Sequence, residues 1–93
     1  MEKAFVSAWA AAREEAAKMG VRMRPVEPEQ ALKTAQRILG GNRLSDGFQE
    51  LKALGCLKWS LEALAVDKRF TALFTDEEAN EALTRLMEAG YHF

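Results

Sequence analysis

The chain has 93 residues, of which 48% are hydrophobic and 29% are charged, and its formal net charge at pH 7 is -1. These fractions are typical of a globular domain and exclude the intrinsically disordered class. A net charge so close to zero provides no overall attraction to nucleic acid or to an anionic membrane. We therefore expect one domain over residues 1–93.

The first helix is predicted over about residues 3–19. Its apolar side chains recur at helical spacing along one face, and alanine predominates among the rest. Gly20 is expected to end the helix, because glycine accepts a left-handed backbone without a Cβ clash. The apolar run at residues 5–12 is short and continues into charged helical sequence, unlike a secretion signal. Together with the single Cys56, this predicts a cytoplasmic protein with no membrane segment.

The stretch GVRMRPVEP, residues 20–28, differs from its helical surroundings. Arg24 and Glu27 each precede a proline and are therefore pushed toward extended conformations. Pro28 suits the first position of a second helix, which is predicted to end at Gly40-Gly41. Residues 20–28 are thus expected to be an extended linker with Arg22 and Arg24 pointing outward.

A third helix is predicted over about residues 46–65, capped by Ser45 or Asp46. When its residues are placed at 100° steps, apolar side chains fall on two opposite arcs. A helix that is apolar on two sides is normally buried on two sides, so we expect it to be central. The larger side chains of its second arc are Phe48, Trp59, Val66 and, beyond the helix end, Phe70.

The C-terminal part predicts a short turn after Asp67 and a fourth helix over about residues 76–89. Thr75 and Glu78 have the spacing of a capping box. Leu86 and Met87 are expected on the buried face of this helix, and Gly90 is expected to end it. No stretch favours a sheet. The predicted fold is all-α, a compact bundle of four main helices plus a short helical turn.

Few residues are suited to catalysis or metal binding. His92 is the only histidine and Cys56 the only cysteine, so no metal cluster or nucleophile–base pair is indicated locally. Gly40-Gly41-Asn42-Arg43 lacks the spacing of a phosphate loop. We therefore predict no catalytic residue, no cofactor and no metal, and expect the protein not to be an enzyme.

Two surfaces remain as candidates for binding a partner. One is the aromatic arc formed by Phe48, Trp59, Val66 and Phe70, because aromatic anchors dominate interface energetics. The alternative for this arc is burial under the first helix within the monomer. The other surface is a basic band over residues 22–43. Its cations are Arg22, Arg24, Lys33, Arg37 and Arg43.

These surfaces lead to two functional hypotheses. The first is stoichiometric binding to another protein or to a second copy, as an adaptor, a chaperone-like partner or an inhibitor, such as a phage or mobile-element antagonist of a larger complex. The alternative is a nucleic-acid-associated regulator that uses the basic band around Arg22–Arg43.

Overall fold

A computed structural model of the protein describes residues 2–41 and 43–91. Within these ranges there is no strand, and the all-α prediction is confirmed. Short 3-10 helices occupy Pro28–Gln30, Leu57–Trp59 and Thr71–Leu73. The α-helices are α1 (Glu2–Lys18), α2 (Ala31–Gly40), α3 (Phe48–Ala53), α4 (Leu61–Ala65) and α5 (Asp76–Glu88).

Helix α1 ends as the sequence predicts. Gly20 has φ +84°, and the amide of Val21 donates to the carbonyl of Ala16 at 2.9 Å. This left-handed glycine satisfies carbonyls that the last helical turn leaves free. The chain then continues without regular secondary structure to Pro28, as expected for the linker.

The prediction of one continuous helix over residues 46–65 is wrong. Helix α3 stops at Ala53, and Gly55 adopts φ +70° while the amide of Cys56 donates to the carbonyl of Leu51 at 2.8 Å. After the turn at Leu57–Trp59, α4 begins with Ser60 as its N-cap, and the Ser60 hydroxyl accepts from the amide of Ala63. The two apolar arcs therefore belong to different short helices.

The predicted cap of the third helix is also wrong. Gly47 occupies the N-cap position of α3 with φ +78° and provides no side-chain cap. Ser45 instead contacts Glu62, and Asp46 accepts from the amide of Arg24 at 3.3 Å. Both side chains are therefore used for tertiary contacts.

Helix α5 confirms the predicted capping box, in which Thr75 and Glu78 each accept a hydrogen bond from the other's amide. Its buried face is different from the prediction. Met87 is 64% exposed, whereas Arg85 is only 6% exposed and lies beside the fully buried Leu86. A cation thus occupies a core-facing position of α5.

Two clusters of buried side chains make up the core. The first joins α1, α2 and α4 around Phe5, whose ring lies 5.6 Å from that of Phe70 and 5.5 Å from that of Phe74. The second joins the end of α1 to α3 and α5 around Phe48 and Leu86. No helix in the described ranges is long and apolar enough to cross a membrane.

Candidate partner-binding groove and its buried ionic support

An open groove of about 730 Å³ lies between the linker, helix α2 and residues 43–46. We refer to it as the arginine groove. Its apolar lining includes Trp9, Met23, Val26, Ile38 and Leu44. Trp9 is buried, with 5% of its surface exposed, and its indole nitrogen Nε1 has no hydrogen-bond partner among the described residues. The groove thus combines apolar surface with a buried hydrogen-bond donor, the Trp9 indole N–H, that has no partner among the described residues.

Three guanidinium groups line the arginine groove, those of Arg24, Arg37 and Arg43. Two carboxylates, Glu27 and Asp46, line it as well, so the local excess of positive charge is one. Arg24 forms an ion pair with Asp46 at 3.4 Å while its side chain stays 88% exposed. The groove is therefore moderately basic, and one of its three arginines is paired with a carboxylate.

Arg37 and Arg43 differ from Arg24 in having no carboxylate partner among the residues that the structure describes. Within residues 2–41 and 43–91 neither guanidinium forms an ion pair or a hydrogen bond. Each therefore keeps its full set of N–H donors for a ligand. Planar guanidinium groups suit bidentate contacts with carboxylates.

The structure brings together only part of the predicted basic band. Arg24 and Arg37 share the arginine groove with Arg43. Arg22 lines a smaller groove on the other side of the linker, together with Asp46, Gly47 and Glu50. Lys33 is exposed on α2 and lines neither groove.

The predicted aromatic arc is largely enclosed within the chain. Phe48 is 2% exposed in the second cluster, and Phe70 is 1% exposed in the first. Trp59 and Val66 are half-buried and pack against both clusters. Their predicted role as partner anchors depended on surface exposure, which Phe48 and Phe70 do not have.

A buried carboxylate supports the wall of the arginine groove. Glu62 of α4 is fully buried, and its Oε1 accepts a short hydrogen bond from the Ser45 hydroxyl. Its Oε2 accepts from the amide of Ser45 at 3.1 Å. Because Ser45 lines the groove, Glu62 fixes that wall directly to the core.

Arg85 neutralises this carboxylate and holds the opposite wall. Its Nη1 donates to Glu62 Oε2 at 3.0 Å, and its Nη2 donates to the carbonyls of Ile38 and Gly41 at 3.2 and 3.0 Å. Its Nε donates to Glu81 at 2.7 Å. The groove-lining residues Ile38 and Gly41 are therefore tied to α5, and one buried network holds both walls.

Sequence reasoning did not find this network. Glu62 and Arg85 are 23 positions apart, and no local spacing indicates that they form a pair. A signal was present in the run from Leu61 to Val66, where Glu62 is the only polar residue. Gly55 gave a second signal, because glycine is the usual residue just past a helix end.

No group of residues suited to hold a metal ion occurs in the described ranges. Cys56 is half-buried, and its Sγ lies 3.5 Å from the carbonyl oxygen of Leu54. Asn42 of the glycine-rich stretch and His92, the only histidine, lie outside the described residues.

The fold and the site together define a small all-α domain that carries an arginine-lined groove on a buried ionic support. Comparison with protein-family models, with curated proteins and with solved structures finds no match to the chain.

Proposed function

We propose that the protein acts by stoichiometric binding to an acidic surface of another protein, as an adaptor, a chaperone-like partner or an inhibitor. The observation that carries the proposal is the pairing of Arg37 and Arg43, both without carboxylate partners in the described chain, with apolar groove lining. Carboxylates on a partner would occupy these two cations, while its apolar side chains would fill the groove beside Trp9.

The mixed charge of this face favours a protein over nucleic acid. Affinity for nucleic acid depends on many cations that neutralise successive phosphates. Here Asp46 already pairs with Arg24, and Glu27 and Glu50 line the two grooves. These carboxylates would repel a phosphate backbone, whereas a protein partner can match charges of both signs.

Crosslinking from within the groove tests the proposal. A photoreactive amino acid at Thr34, which lines the groove, would capture the partner in the native host for identification. The purified partner would then be titrated against Arg37→Ala/Arg43→Ala, for which we expect a loss of affinity of at least about tenfold that diminishes as salt rises.

Lys33→Ala is the matched control, because this exposed cation of the same helix lines neither groove. It should change affinity less than about twofold. Equal losses for both variants would contradict the groove as the binding site. Binding of duplex DNA with a steep salt dependence, and no protein partner, would favour the nucleic-acid hypothesis instead.

A further inference from the structure

The linker forms one side of the arginine groove, and its sequence also has a repeating pattern of its own. Residues 22–28 read R-M-R-P-V-E-P, with arginine or proline at every third position: Arg22, Pro25 and Pro28. Burial follows the same period. Met23 and Val26 are half-buried and pack against the first core cluster, while all other side chains from 22 to 28 are exposed.

A period of three is the signature of a polyproline II helix, which has three residues per turn. Glu27 has φ -61° and ψ 129°, close to the values of that conformation. Polyproline II also has no internal hydrogen bonds. Accordingly, the amides of Arg22, Met23, Val26 and Glu27 donate to no other described residue.

The segment stands out from the surface as a ridge. Met23, Arg24 and Pro25 line both the arginine groove and the smaller groove, so the chain runs between two depressions. At about 3.1 Å per residue, Arg22 and Pro25 are about 9 Å apart, as are Pro25 and Pro28. The three form one edge of the ridge, turned away from the edge that carries Met23 and Val26.

Contacts with the rest of the domain hold this ridge in place. The amide of Arg24 donates to Asp46 at 3.3 Å. A Cβ on Gly47 would come within 2.7 Å of Val21 and 3.1 Å of Met23, so the loop before α3 packs closely against the linker. A ligand that is already ordered loses less conformational entropy on binding.

We propose that residues 22–27, in polyproline II conformation, together with Pro28 at the start of the next 3-10 turn, form a preformed ligand for a partner protein whose groove is lined by aromatic side chains and bordered by carboxylates. Aromatic grooves take proline-rich segments in this conformation, and the carboxylates would receive Arg22. This rests on the proposed function, because it specifies how the acidic partner is engaged. A second copy is a poor match, because its described phenylalanines are buried and its own ridge is basic.

A competition experiment with the full chain tests the proposal. The probe is an SH3 domain that prefers R-x-x-P-x-x-P peptides, carrying a fluorescent peptide of that type. The wild-type chain should displace the peptide. Pro25→Ala, Pro28→Ala and Arg22→Ala should each weaken displacement at least about tenfold, and circular dichroism would verify their helical fold.

The exposed Glu29→Ala and Lys33→Ala serve as controls, because neither residue lines a groove, and each should displace the peptide like wild type. No displacement by wild type would overturn the proposal, as would displacement that the two proline variants leave unchanged. The same variants distinguish this proposal from the proposed function. If the captured partner loses affinity with Arg37→Ala/Arg43→Ala but not with Pro25→Ala, the groove remains the binding site and the polyproline mode is excluded.

Discussion

Arg85 and Glu62 form an ion pair that is almost completely removed from solvent. Nη1 of the guanidinium donates to Oε2 of the carboxylate at 3.0 Å, and the two side chains are 5% and 0% exposed. Such a pair adds little net stability over well-packed apolar residues, because both ions lose hydration. Removal of either partner is costly, however, since the other charge then stays buried alone.

Arg85 contacts two carboxylates, and neutralising the buried one should lower the free energy of unfolding more than neutralising the exposed one. Glu62→Gln is expected to lower the free energy of unfolding by about 3–5 kcal/mol, because it leaves Arg85 without its buried counter-ion. Glu81→Gln, which alters the 44% exposed partner, should cost less than about 1 kcal/mol. Urea unfolding followed by circular dichroism measures both. Similar costs for the two variants would refute the distinction.

Removal of both charges should be less harmful than the single changes imply. We expect Glu62→Leu/Arg85→Met to be destabilised by about 1–3 kcal/mol less than the sum of its two single variants. Some loss should remain, because Ser45 and the carbonyls of Ile38 and Gly41 lose their partners. A double-mutant cycle by urea unfolding gives the coupling, and strict additivity would contradict a paired network.

Two glycine-to-alanine substitutions should have opposite signs. Gly55 has φ +70°, so Gly55→Ala should cost about 1–2 kcal/mol even though no atom lies within 4 Å of the added Cβ. Gly40 is the last residue of α2 and has equally open space, so Gly40→Ala should stabilise by about 0.5–1 kcal/mol. Thermal unfolding would show one Tm fall and the other rise. A fall in both would mean that the backbone at Gly40 is not helical.

Gly47→Ala should be worse than Gly55→Ala. The backbone is left-handed at both positions, but at Gly47 the new Cβ would also lie 2.7 Å from Val21. Relief of that clash requires movement of the linker that carries Arg22 and Arg24. We therefore expect a larger loss of Tm together with chemical-shift changes across residues 21–24 in NMR spectra. Unchanged linker resonances would show that the clash is relieved elsewhere.

The pH dependence of one surface pair follows from its geometry. Arg69 donates to Asp67 through its side chain and its amide, and these bonds lower the pKa of Asp67 from the ordinary 3.8. A lowered carboxyl pKa means that the pair stabilises the fold above the ordinary value, and that this contribution disappears as pH falls through the folded pKa. Carboxyl NMR titration of Arg69→Gln should show the Asp67 pKa rising toward 3.8. Lys68→Gln is the control, and an equal rise there would argue against the hydrogen bonds as the cause.

The sequence predicted those elements whose signals are local. Gly20 and the Thr75–Glu78 capping box mark helix ends and were located correctly, whereas Pro28 begins a 3-10 turn and α2 itself starts at Ala31. The prediction of the third helix was wrong because placing residues at 100° steps assumes that the helix is uninterrupted. Once Gly55 breaks it, every later residue points elsewhere, which is why Phe48 and Phe70 end up in separate clusters.

The candidate site was predictable only where it lies on the linker and α2. Five cations were expected in a basic band, and three of them, Arg24, Arg37 and Arg43, do share the arginine groove. The ionic support was not predictable, because Glu62 and Arg85 are 23 positions apart and meet only through the packing of α4 on α5. The role of a charged residue at a core-facing helical position can be assigned only when its partner in the fold is known.

Ser45 lies in the wall of the arginine groove and also bonds the carboxylate at the centre of the fold. A substitution at Ser45 therefore changes the groove and the core together. Related chains that change Ser45 are expected to change Glu62 and Arg85 with it, whereas Arg37 and Arg43 remain free to vary with the partner. The shape of the groove would thus depend on Ser45, Glu62 and Arg85 together, whereas its charge could change at one arginine at a time.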